Sequence, residues 1–382
     1  MENTHSTKQR TLFYLSLQAT NEGQAGYTHV HEIIKGLRKR NWKVTLHSPH
    51  YSSHTHPYKK LLICLAIQAR MLLNLRKADA VYLRAGFLNV PTVAICAILG
   101  KPCLSEINGP IDDAIIAYPS LAKFRKILTF MHNFSLTRSS SLIVVTKELG
   151  LSARNLGYKK NIYFIPNGAN TDLFKPESGS SPSDKPYVMF FGALAEWQGI
   201  QTVLDAKGSA DWPSGLELYI AGDGELRQAV VDAANNDSEI KYLGKVEYRE
   251  LPRYVSHSVL TLSVQTNFSN RASTGLMPLK VFESLACGVP VIVSNFPGMS
   301  DVITDSNSGL VVEPDNPNSL VKAISKIFSS QERRAEMSEN ARNVALKEHS
   351  WDKRSADTNQ AILNCFSNTQ PNSATTINQI PL

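Results

Sequence analysis

The sequence has few cysteines and no cysteine pattern. The five that occur among 382 residues are odd in number, scattered, and mostly embedded in apolar segments. Such a set provides neither a disulfide framework nor the paired spacing of a zinc site. We therefore expect buried, reduced thiols at Cys64, Cys96, Cys103, Cys287 and Cys365.

Long hydrophobic runs are also missing. The N-terminus, MENTHSTKQR, is polar and lacks the apolar core of a secretory signal, which predicts a cytoplasmic protein. The apolar stretch 61–75 is too short to span a bilayer and is interrupted by Gln68 and Arg70. The sequence therefore predicts no transmembrane helix.

The ends of this apolar stretch are basic, with Lys59 and Lys60 before it and Arg76 and Lys77 after it. Together with a net charge of +7, these residues suit peripheral contact with the anionic inner face of the cell membrane. The pattern nevertheless favours a core helix with solvated ends.

Several ligand signatures are absent as well. Lys and Arg are spread along the chain, and no zinc-finger, basic-zipper or aromatic RNA-binding motif occurs, so we expect no nucleic-acid partner. There is no three-glycine dinucleotide fingerprint, no phosphate-loop lysine and no Asp-x-Asp pair. His47, His50, His54 and His56 cluster without a cysteine or carboxylate, which favours a solvated loop over a metal site.

Short apolar runs alternate with helix-length amphipathic segments, first over residues 11–165 and again from residue 187. This alternation is typical of parallel βαβ units and predicts an α/β fold with two doubly wound sheets. The expected strands lie at 11–17, 42–47, 79–83, 102–106, 140–145, 161–165, 186–192, 215–221, 240–243, 259–264, 289–293 and 309–312.

A Pro/Ser-rich segment, residues 176–186, separates the two halves and is interpreted as an interdomain linker. The predicted domains are residues 1–175 and 187–348, facing each other across a cleft. A helix within 349–367 is expected to pack back on the N-terminal domain, and the polar tail 368–382 is expected to be disordered.

The most informative segment is residues 273–293, which indicates a short helix followed by a buried strand. Pro278 suits the first helical turn, and Gly288 suits a left-handed stop. Free amides of Leu279 and Lys280, with the helix dipole, would hold a diphosphate, and Glu283 could accept from ribose hydroxyls. A solvated Lys280–Glu283 pair on an ordinary amphipathic helix is equally compatible with this segment alone.

Other glycine-containing or polar turns follow predicted strands and would line the same cleft. A turn without a ligand explains each of them about as well when it is taken singly. These turns contain Gly23 and Gly26, Glu106 and Asn108, Gly192 and Gly199, and Asp223.

In this order, the segments GQAGYTHVHEI, EINGP, FIPNGANTDLF, FFGALAEWQGI, AGDGEL and PLKVFESLACGVPVIVS resemble the retaining glycosyltransferases of family 4, which have the GT-B fold. The resemblance covers nearly the whole chain. It implies that Glu283 is the second glutamate of the family's Glu-x7-Glu motif and holds the ribose of a nucleotide. The amides of Leu279 and Lys280 would then face the diphosphate.

The sequence departs from the family pattern at three places. Gly275 stands where the first glutamate would be. Ala193 and Gln198 replace a phosphate-binding Arg and Lys, and Asn108 replaces a histidine of the N-terminal domain. The resemblance thus leaves the positive charge toward the diphosphate to Lys280 or Arg271.

The resemblance implies sugar transfer, with retention, from a nucleotide-diphosphate donor to a hydroxyl of a glycan or lipid-linked acceptor, without a metal or other cofactor. The alternatives are a binding subunit without turnover and a sugar-nucleotide epimerase. The predicted catalytic residues are Lys280, Glu283 and Asn108; the donor-binding residues are Gly192, Gln198, Asp223, Arg271, Gly275 and Leu279; the acceptor-side residues are Gly23, Gly26 and Glu106.

Overall fold

The computed structural model describes residues 9–19, 21–51, 55–267, 271–366 and 379–381. The chain forms two compact units. Unit 1 comprises Met1–Pro166 together with Arg354–Leu382, and unit 2 comprises Asn167–Lys353. Unit 2 is therefore inserted between two segments of unit 1.

Unit 1 contains a six-stranded parallel sheet with the order β2-β1-β3-β4-β5-β6. Its strands are β1 (Arg10–Leu15), β2 (Trp42–His47), β3 (Ala80–Arg84), β4 (Cys103–Ile107), β5 (Ser141–Val144) and β6 (Ile162–Phe164). Its helices are α1 (Ala25–Lys39), α2 (Pro57–Leu73), α3 (Val90–Ile98), α4 (Asp112–Ala117), α5 (Arg125–Arg138) and α6 (Lys147–Asn155).

Unit 2 contains a second six-stranded parallel sheet, ordered β12-β11-β10-β7-β8-β9. Its strands are β7 (Tyr187–Phe191), β8 (Glu217–Ala221), β9 (Ile240–Gly244), β10 (Leu260–Ser263), β11 (Val291–Ser294) and β12 (Gly309–Val312). Its helices are α7 (Ile200–Lys207), α8 (Arg227–Asn236), α9 (Leu251–Ser256), α10 (Leu279–Ala286), α11 (Met299–Ser306), α12 (Pro317–Phe328) and α13 (Gln331–Glu348).

The central strands are buried on both faces. Every residue of β4, β5, β7, β8, β10 and β11 is buried. Helices cover both faces of a parallel sheet, so its strands are continuous apolar runs rather than alternating ones. This is why the central strands could be predicted from short apolar runs, whereas the edge strands β2 and β9 contain Lys43 and Lys241 and are only partly buried.

The last helix, α14 (Trp351–Asn364), enters unit 1 at Arg354. The Asn359 Oδ1 accepts a hydrogen bond of 2.7 Å from the indole N–H of Trp42, which is buried. Ser355 lies against Gly36 of α1, where a β-carbon would come within 2.0 Å of the Ser355 hydroxyl oxygen. Close packing at a glycine thus fixes α14 on α1.

The predicted linker 176–186 does not join the units, because the chain passes from unit 1 to unit 2 between Pro166 and Asn167. The segment belongs to unit 2. The Ser183 hydroxyl donates to Glu217 Oε2 at 2.9 Å, and the Gly179 carbonyl lies 3.0 Å from His257 Nε2. Its Pro/Ser composition indicated irregular structure correctly but misplaced the boundary.

The predicted disordered tail also needs correction. Residues 367–378 and 382 lie outside the described part of the chain. Gln379, however, bridges to Tyr163, and Ile380 is buried in the unit 1 core with Leu142 and Val144. At least this part of the tail is ordered.

Helix α2 occupies the apolar stretch that favoured a core helix, but it is buried along one narrow strip only. Cys64, Gln68 and Met71 form that strip. Several leucines on its other faces are exposed. Among the described residues, none of the helices is long and apolar enough to cross a membrane.

Candidate functional site

The site in unit 2 lies where the sheet changes winding direction. The chain runs from β7 outward through β8 to β9, and then returns to β10 on the other side of β7. The loops after β7 and β10 therefore diverge at neighbouring strands, which is where doubly wound sheets bind ligands. The turn 192–199 follows β7, and the segment that follows β10 ends at helix α10.

The start of α10 is held by three hydrogen bonds from two other segments of unit 2. The Asn167 side-chain N–H donates to the Met277 carbonyl at 2.6 Å. The Leu276 amide bonds to the Pro297 carbonyl, and the Met299 amide returns a bond to Leu276. The entry of the chain into the helix is thus fixed before any ligand binds.

Pro278 is the N-cap residue, with extended backbone at ψ 138°. The prediction placed it one residue later, inside the first turn. The first amide bonded within the turn is that of Val281, which donates to the Pro278 carbonyl at 3.2 Å. Within the described residues, the amides of Leu279 and Lys280 have no acceptor, so both can bind an anion.

Every residue of α10 is buried, including Lys280 at 8% exposure and Glu283 at 5%. The alternative of a solvated Lys280–Glu283 pair on the surface is therefore wrong. Gly288 adopts the predicted left-handed conformation at φ 70° and ends the helix before β11.

Lys280 links the helix to the turn after β7. Its ammonium donates to Gln198 Oε1 at 2.7 Å and lies 4.6 Å from the ring centroid of Phe190. At Gly192 a β-carbon would lie 3.3 Å from the Lys280 Nζ, so a side chain there would crowd the ammonium. The structure thus brings together three predicted residues, Gly192, Gln198 and Lys280.

Glu283 lies one turn further along α10 and accepts a hydrogen bond of 2.8 Å from the Tyr248 hydroxyl. In the described part of the chain, no ion pair within 4 Å joins Glu283 to Lys280. Burial raises the pKa of Glu283 to about 7, although Tyr248 and Lys280 oppose the shift. Burial likewise lowers the pKa of Lys280 to about 7, against the attraction of Glu283.

The turn after β8 packs directly on the turn after β7. A β-carbon at Gly222 would come within 1.8 Å of the Gly192 carbonyl oxygen. The Asp223 carbonyl accepts from the Leu194 amide at 3.0 Å, while its side chain caps the Gly224 amide at 2.9 Å. Asp223 is exposed, and its two hydrogen bonds stabilise the turn after β8.

Gly275 occupies the position of the missing first glutamate. Its backbone is left-handed at φ 71°, a conformation that strains any residue with a β-carbon. The backbone here therefore disfavours a glutamate. Arg271 lies in the short 3-10 helix Arg271–Thr274, and its side chain is outside the described set.

In unit 1, Glu106 is buried at the carboxyl end of β4 rather than presented at the surface. The Tyr82 hydroxyl donates to its Oε2 at 2.6 Å, and His29 Nε2 lies 2.5 Å from its Oε1. Arg84 Nη1 lies 4.0 Å from the same oxygen. Burial alone would raise the pKa of Glu106, but His29, Arg84 and Tyr82 together lower it to about 2.

The prediction that Glu106 binds a sugar hydroxyl directly is therefore replaced by a structural role. Asn108, two residues further on, is partly exposed. Gly23 lies in the loop before α1 at φ 84°, and Gly26 lies in the first turn of that helix. Asn108 stays a prediction as a catalytic residue, and Gly23 and Gly26 stay predictions for the acceptor side.

The histidine-rich segment contains no metal cluster within the described residues. His47 packs edge-on against Phe13, and His56 caps the start of α2 by accepting from the Tyr58 amide at 3.3 Å. His50 is exposed, and His54 is outside the described set. For His54, the interpretation of the histidine-rich segment as a solvated loop stays a prediction.

Sequence reasoning missed Tyr248, Asn167 as a support of α10, and the three partners of Glu106. None of them has a local signal, because each acts across a distance of many residues in the chain. His29 was inside a quoted segment, but only the packing of α1 on β4 shows that it faces a carboxylate.

Comparison with known structures defines the class of fold. The sucrose-phosphate synthase of Thermosynechococcus elongatus superimposes with a TM-score of 0.75 at 17% identity, over 94% of this chain and 99% of that one. A complex of Anabaena HepE with UDP-glucose gives 0.68 at 16% identity, over 93% and 99%. The chain has the GT-B fold, as predicted.

Sequence comparison finds a family match and several relatives. Residues 171–344 match the family described as glycosyl transferases group 1. An uncharacterised glycosyltransferase of Methanocaldococcus jannaschii is 26% identical over 67% of this chain and 66% of its own length. A GDP-mannose-dependent phosphatidylinositol monomannoside mannosyltransferase of Mycobacterium tuberculosis is 23% identical over 59% and 58%. The chain spans less than two thirds of the length of the first curated relatives that it matches.

Proposed function

We propose that the protein is a retaining glycosyltransferase that binds a nucleotide-diphosphate sugar in unit 2. The observation that carries the proposal is the start of α10. There, two amides without acceptors and a buried lysine converge at the winding switch of the sheet, and a buried carboxylate lies one turn further along.

In this proposal, the diphosphate lies against the amides of Leu279 and Lys280 and the Lys280 ammonium. The glycine at position 192 leaves room for a phosphate beside that ammonium. Glu283 accepts from the ribose hydroxyls with the oxygen that Tyr248 does not occupy. Departure of the diphosphate builds negative charge at these donors, and loss of one such donor costs about 3 kcal/mol of barrier.

The names of relatives support the substrate class. One curated relative is named as dependent on GDP-mannose, and one solved structure holds UDP-glucose. We propose a UDP- or GDP-linked hexose or N-acetylhexosamine as donor and a glycan or lipid-linked hydroxyl as acceptor. Because Lys280 and the helix amides supply the charge toward the diphosphate, we expect transfer to continue in EDTA.

Binding of UDP and GDP, measured by calorimetry on Lys280→Met, tests the assignment. We expect the tighter nucleotide to lose at least about tenfold in affinity, because a charge-assisted contact contributes about 1.5–3 kcal/mol. Lys207→Met is the matched control. It removes another buried lysine, which pairs with Glu239 and Asp237, and should leave affinity unchanged. Equal affinity in Lys280→Met and wild type would overturn the assignment.

The alternative is a GT-B protein that binds a nucleotide sugar without turnover, and the neutral Ala193, Gln198 and Gly275 motivate it. Slow hydrolysis of UDP- or GDP-sugars by the wild-type chain distinguishes the two. If the wild type releases UDP or GDP and the Lys280→Met variant does not, the protein is an enzyme rather than a binding subunit. The first sugar anomer detected by NMR should match that of the donor if the configuration is retained.

A further inference from the structure

Helix α2 of unit 1 exposes apolar side chains that a core helix would bury. Leu61, Leu62 and Leu65 are 40%, 46% and 42% exposed, and Tyr58 is 63% exposed. Their spacing places these residues on one face of the first half of the helix, whereas only Cys64, Gln68 and Met71 are buried along its length. Large apolar groups clustered on one surface indicate an interaction site.

A second exposed apolar segment begins after α4. Phe124, Ile127 and Phe130 are 50%, 55% and 69% exposed, and Tyr118 is 40% exposed. Ile127 and Phe130 are three residues apart on α5 and so share one face of that helix. The segment therefore presents aromatic and aliphatic groups together.

Lys60 connects the two segments. Its ammonium lies 5.6 Å from the ring centroid of Tyr118 and 5.3 Å from that of Tyr51. The start of α2 is thus adjacent to the start of the second segment. We give the name apolar-basic surface to the exposed apolar residues of the two segments and their lysines: Tyr58, Leu61, Leu62, Leu65, Tyr118, Phe124, Ile127 and Phe130, with Lys59, Lys60, Lys123 and Lys126.

The charge on this surface has one sign. Neither α2 nor residues 118–138 contain an aspartate or glutamate. The acids nearest in sequence to the second segment are Asp113 and Asp112, and Asp112 pairs with Arg125 at 2.7 Å. Lys59, Lys60, Lys123 and Lys126 are thus interspersed in the sequence with the apolar residues, and neither segment contributes an acid.

We propose that the apolar-basic surface docks unit 1 on an anionic lipid bilayer. Leucine and phenylalanine side chains would enter the boundary between headgroups and acyl chains, while the lysines contact lipid phosphates. A second copy of the chain fits less well, because it would place lysines against lysines. The inference concerns unit 1 alone and does not depend on the donor site in unit 2.

Sedimentation of the full chain with vesicles tests the proposal. We expect binding to vesicles of equal parts phosphatidylglycerol and phosphatidylcholine, and little binding to phosphatidylcholine alone. Each of Lys59→Ala and Lys60→Ala should weaken binding about fivefold, since a basic residue near an anionic surface contributes about 1 kcal/mol. Salt at about 1 M should weaken it further by screening.

Leu62→Glu tests the apolar part, and Leu151→Glu is its matched control. Leu151 lies on α6 of unit 1 and is 54% exposed, outside both segments of the apolar-basic surface. We expect Leu62→Glu to abolish vesicle binding and Leu151→Glu to retain it, with both variants folded by circular dichroism and both binding nucleotide like the wild type.

Three results would overturn the proposal: no binding of wild type to anionic vesicles, equal loss in the two glutamate variants, or a wild-type dimer in analytical ultracentrifugation that Leu62→Glu dissociates. Failure of vesicle binding with intact nucleotide binding would leave the proposed function standing. Loss of nucleotide binding alone would leave the membrane surface standing.

Discussion

Lys280 and Glu283 are buried near each other without a direct ion pair. Each has instead a neutral hydrogen-bond partner, Gln198 for the lysine and Tyr248 for the glutamate. Burial without a charged partner disfavours the ionised form of both groups, which is why both pKa values lie near 7. Such poised groups are typical of functional sites.

This arrangement predicts a bell-shaped dependence of nucleotide affinity on pH. Binding of the diphosphate needs protonated Lys280, which is lost above pH about 7, and binding of the ribose needs ionised Glu283, which is lost below it. Affinity measured by calorimetry should therefore be highest near pH 7. On each side it should fall by up to about tenfold per pH unit.

Two variants separate the limbs of this profile. Lys280→Arg keeps its charge at all pH values and should retain only the fall toward acid. Glu283→Gln cannot ionise and should retain only the fall toward alkali. A profile that stays bell-shaped in both variants would assign the titration to other groups.

Glu106 illustrates a buried charge that is compensated. Its pKa of about 2, against a usual value of 4.5, means that ionisation favours the folded state. The contribution is complete above pH about 4.5 and is lost as the pH falls toward 2, and it amounts to about 3 kcal/mol.

Glu106→Gln should therefore lower the free energy of unfolding by about 3–5 kcal/mol at pH 7, because His29 and Arg84 lose their carboxylate. Urea unfolding measures this, and the variant should also lack the wild type's loss of stability below pH 4.5. Glu217→Gln is a control, since this carboxylate accepts from the Ser183 hydroxyl; it should cost about 1 kcal/mol. Equal losses of unfolding free energy in the two variants would show that the charge of Glu106 does not stabilise the fold.

At the scale of elements, the sequence predicted all twelve strands, and the central ones were predictable because they are apolar runs in sheets covered on both faces. The helix–strand unit around α10 was also predicted, since Gly288 and Pro290 mark its end. Helix α2 was misjudged because composition alone does not show which apolar faces find a partner. The supports of α10 from Asn167 and of Glu283 from Tyr248 depend on tertiary contacts and could not be predicted.

The turn after β7 depends on Gly199, whose backbone is left-handed at φ 71°. A β-carbon there would lie 1.9 Å from the Val264 carbonyl oxygen. Gly199→Ala should thus displace the turn that holds Gln198. We expect nucleotide affinity to fall together with the free energy of unfolding.

Gly215→Ala is the matched control, because Gly215 is also left-handed at φ 75° but has open space around it. It should cost only the backbone strain, about 1–2 kcal/mol, and leave affinity unchanged. Urea unfolding and calorimetry on both variants measure the difference. Similar results for the two would mean that the contact with Val264 is easily relieved.

At the scale of the whole molecule, the sequence predicted two doubly wound units but divided them at the Pro/Ser-rich segment. The true boundary at Asn167 lies in a segment with ordinary composition, and only contacts reveal it. Asn167 bonds to Met277, and Ala169 pairs with residues 349–351, so both belong to unit 2.

The C-terminal residues of unit 1 provide a test of this division. Ile380 is 7% exposed, and its amide donates to the Ile162 carbonyl at 3.1 Å. Ile380→Ala should destabilise unit 1 by about 2–4 kcal/mol. Hydrogen exchange should accelerate in peptides from β5 and β6 but not in those from β7 and β8, and nucleotide affinity should be unchanged. Ile380→Val, which keeps most of the side chain, should cost about 1 kcal/mol.

The insertion of unit 2 between Pro166 and Arg354 also sets the order in which the two units can complete their packing during synthesis. All strands of unit 1 leave the ribosome first, but Trp42 and Gly36 lack their contacts with α14 until that helix is made. Unit 2 is continuous in sequence and can fold while the chain is still growing. The unit whose strands are translated first therefore completes its packing last, once the residues that follow unit 2 have been made.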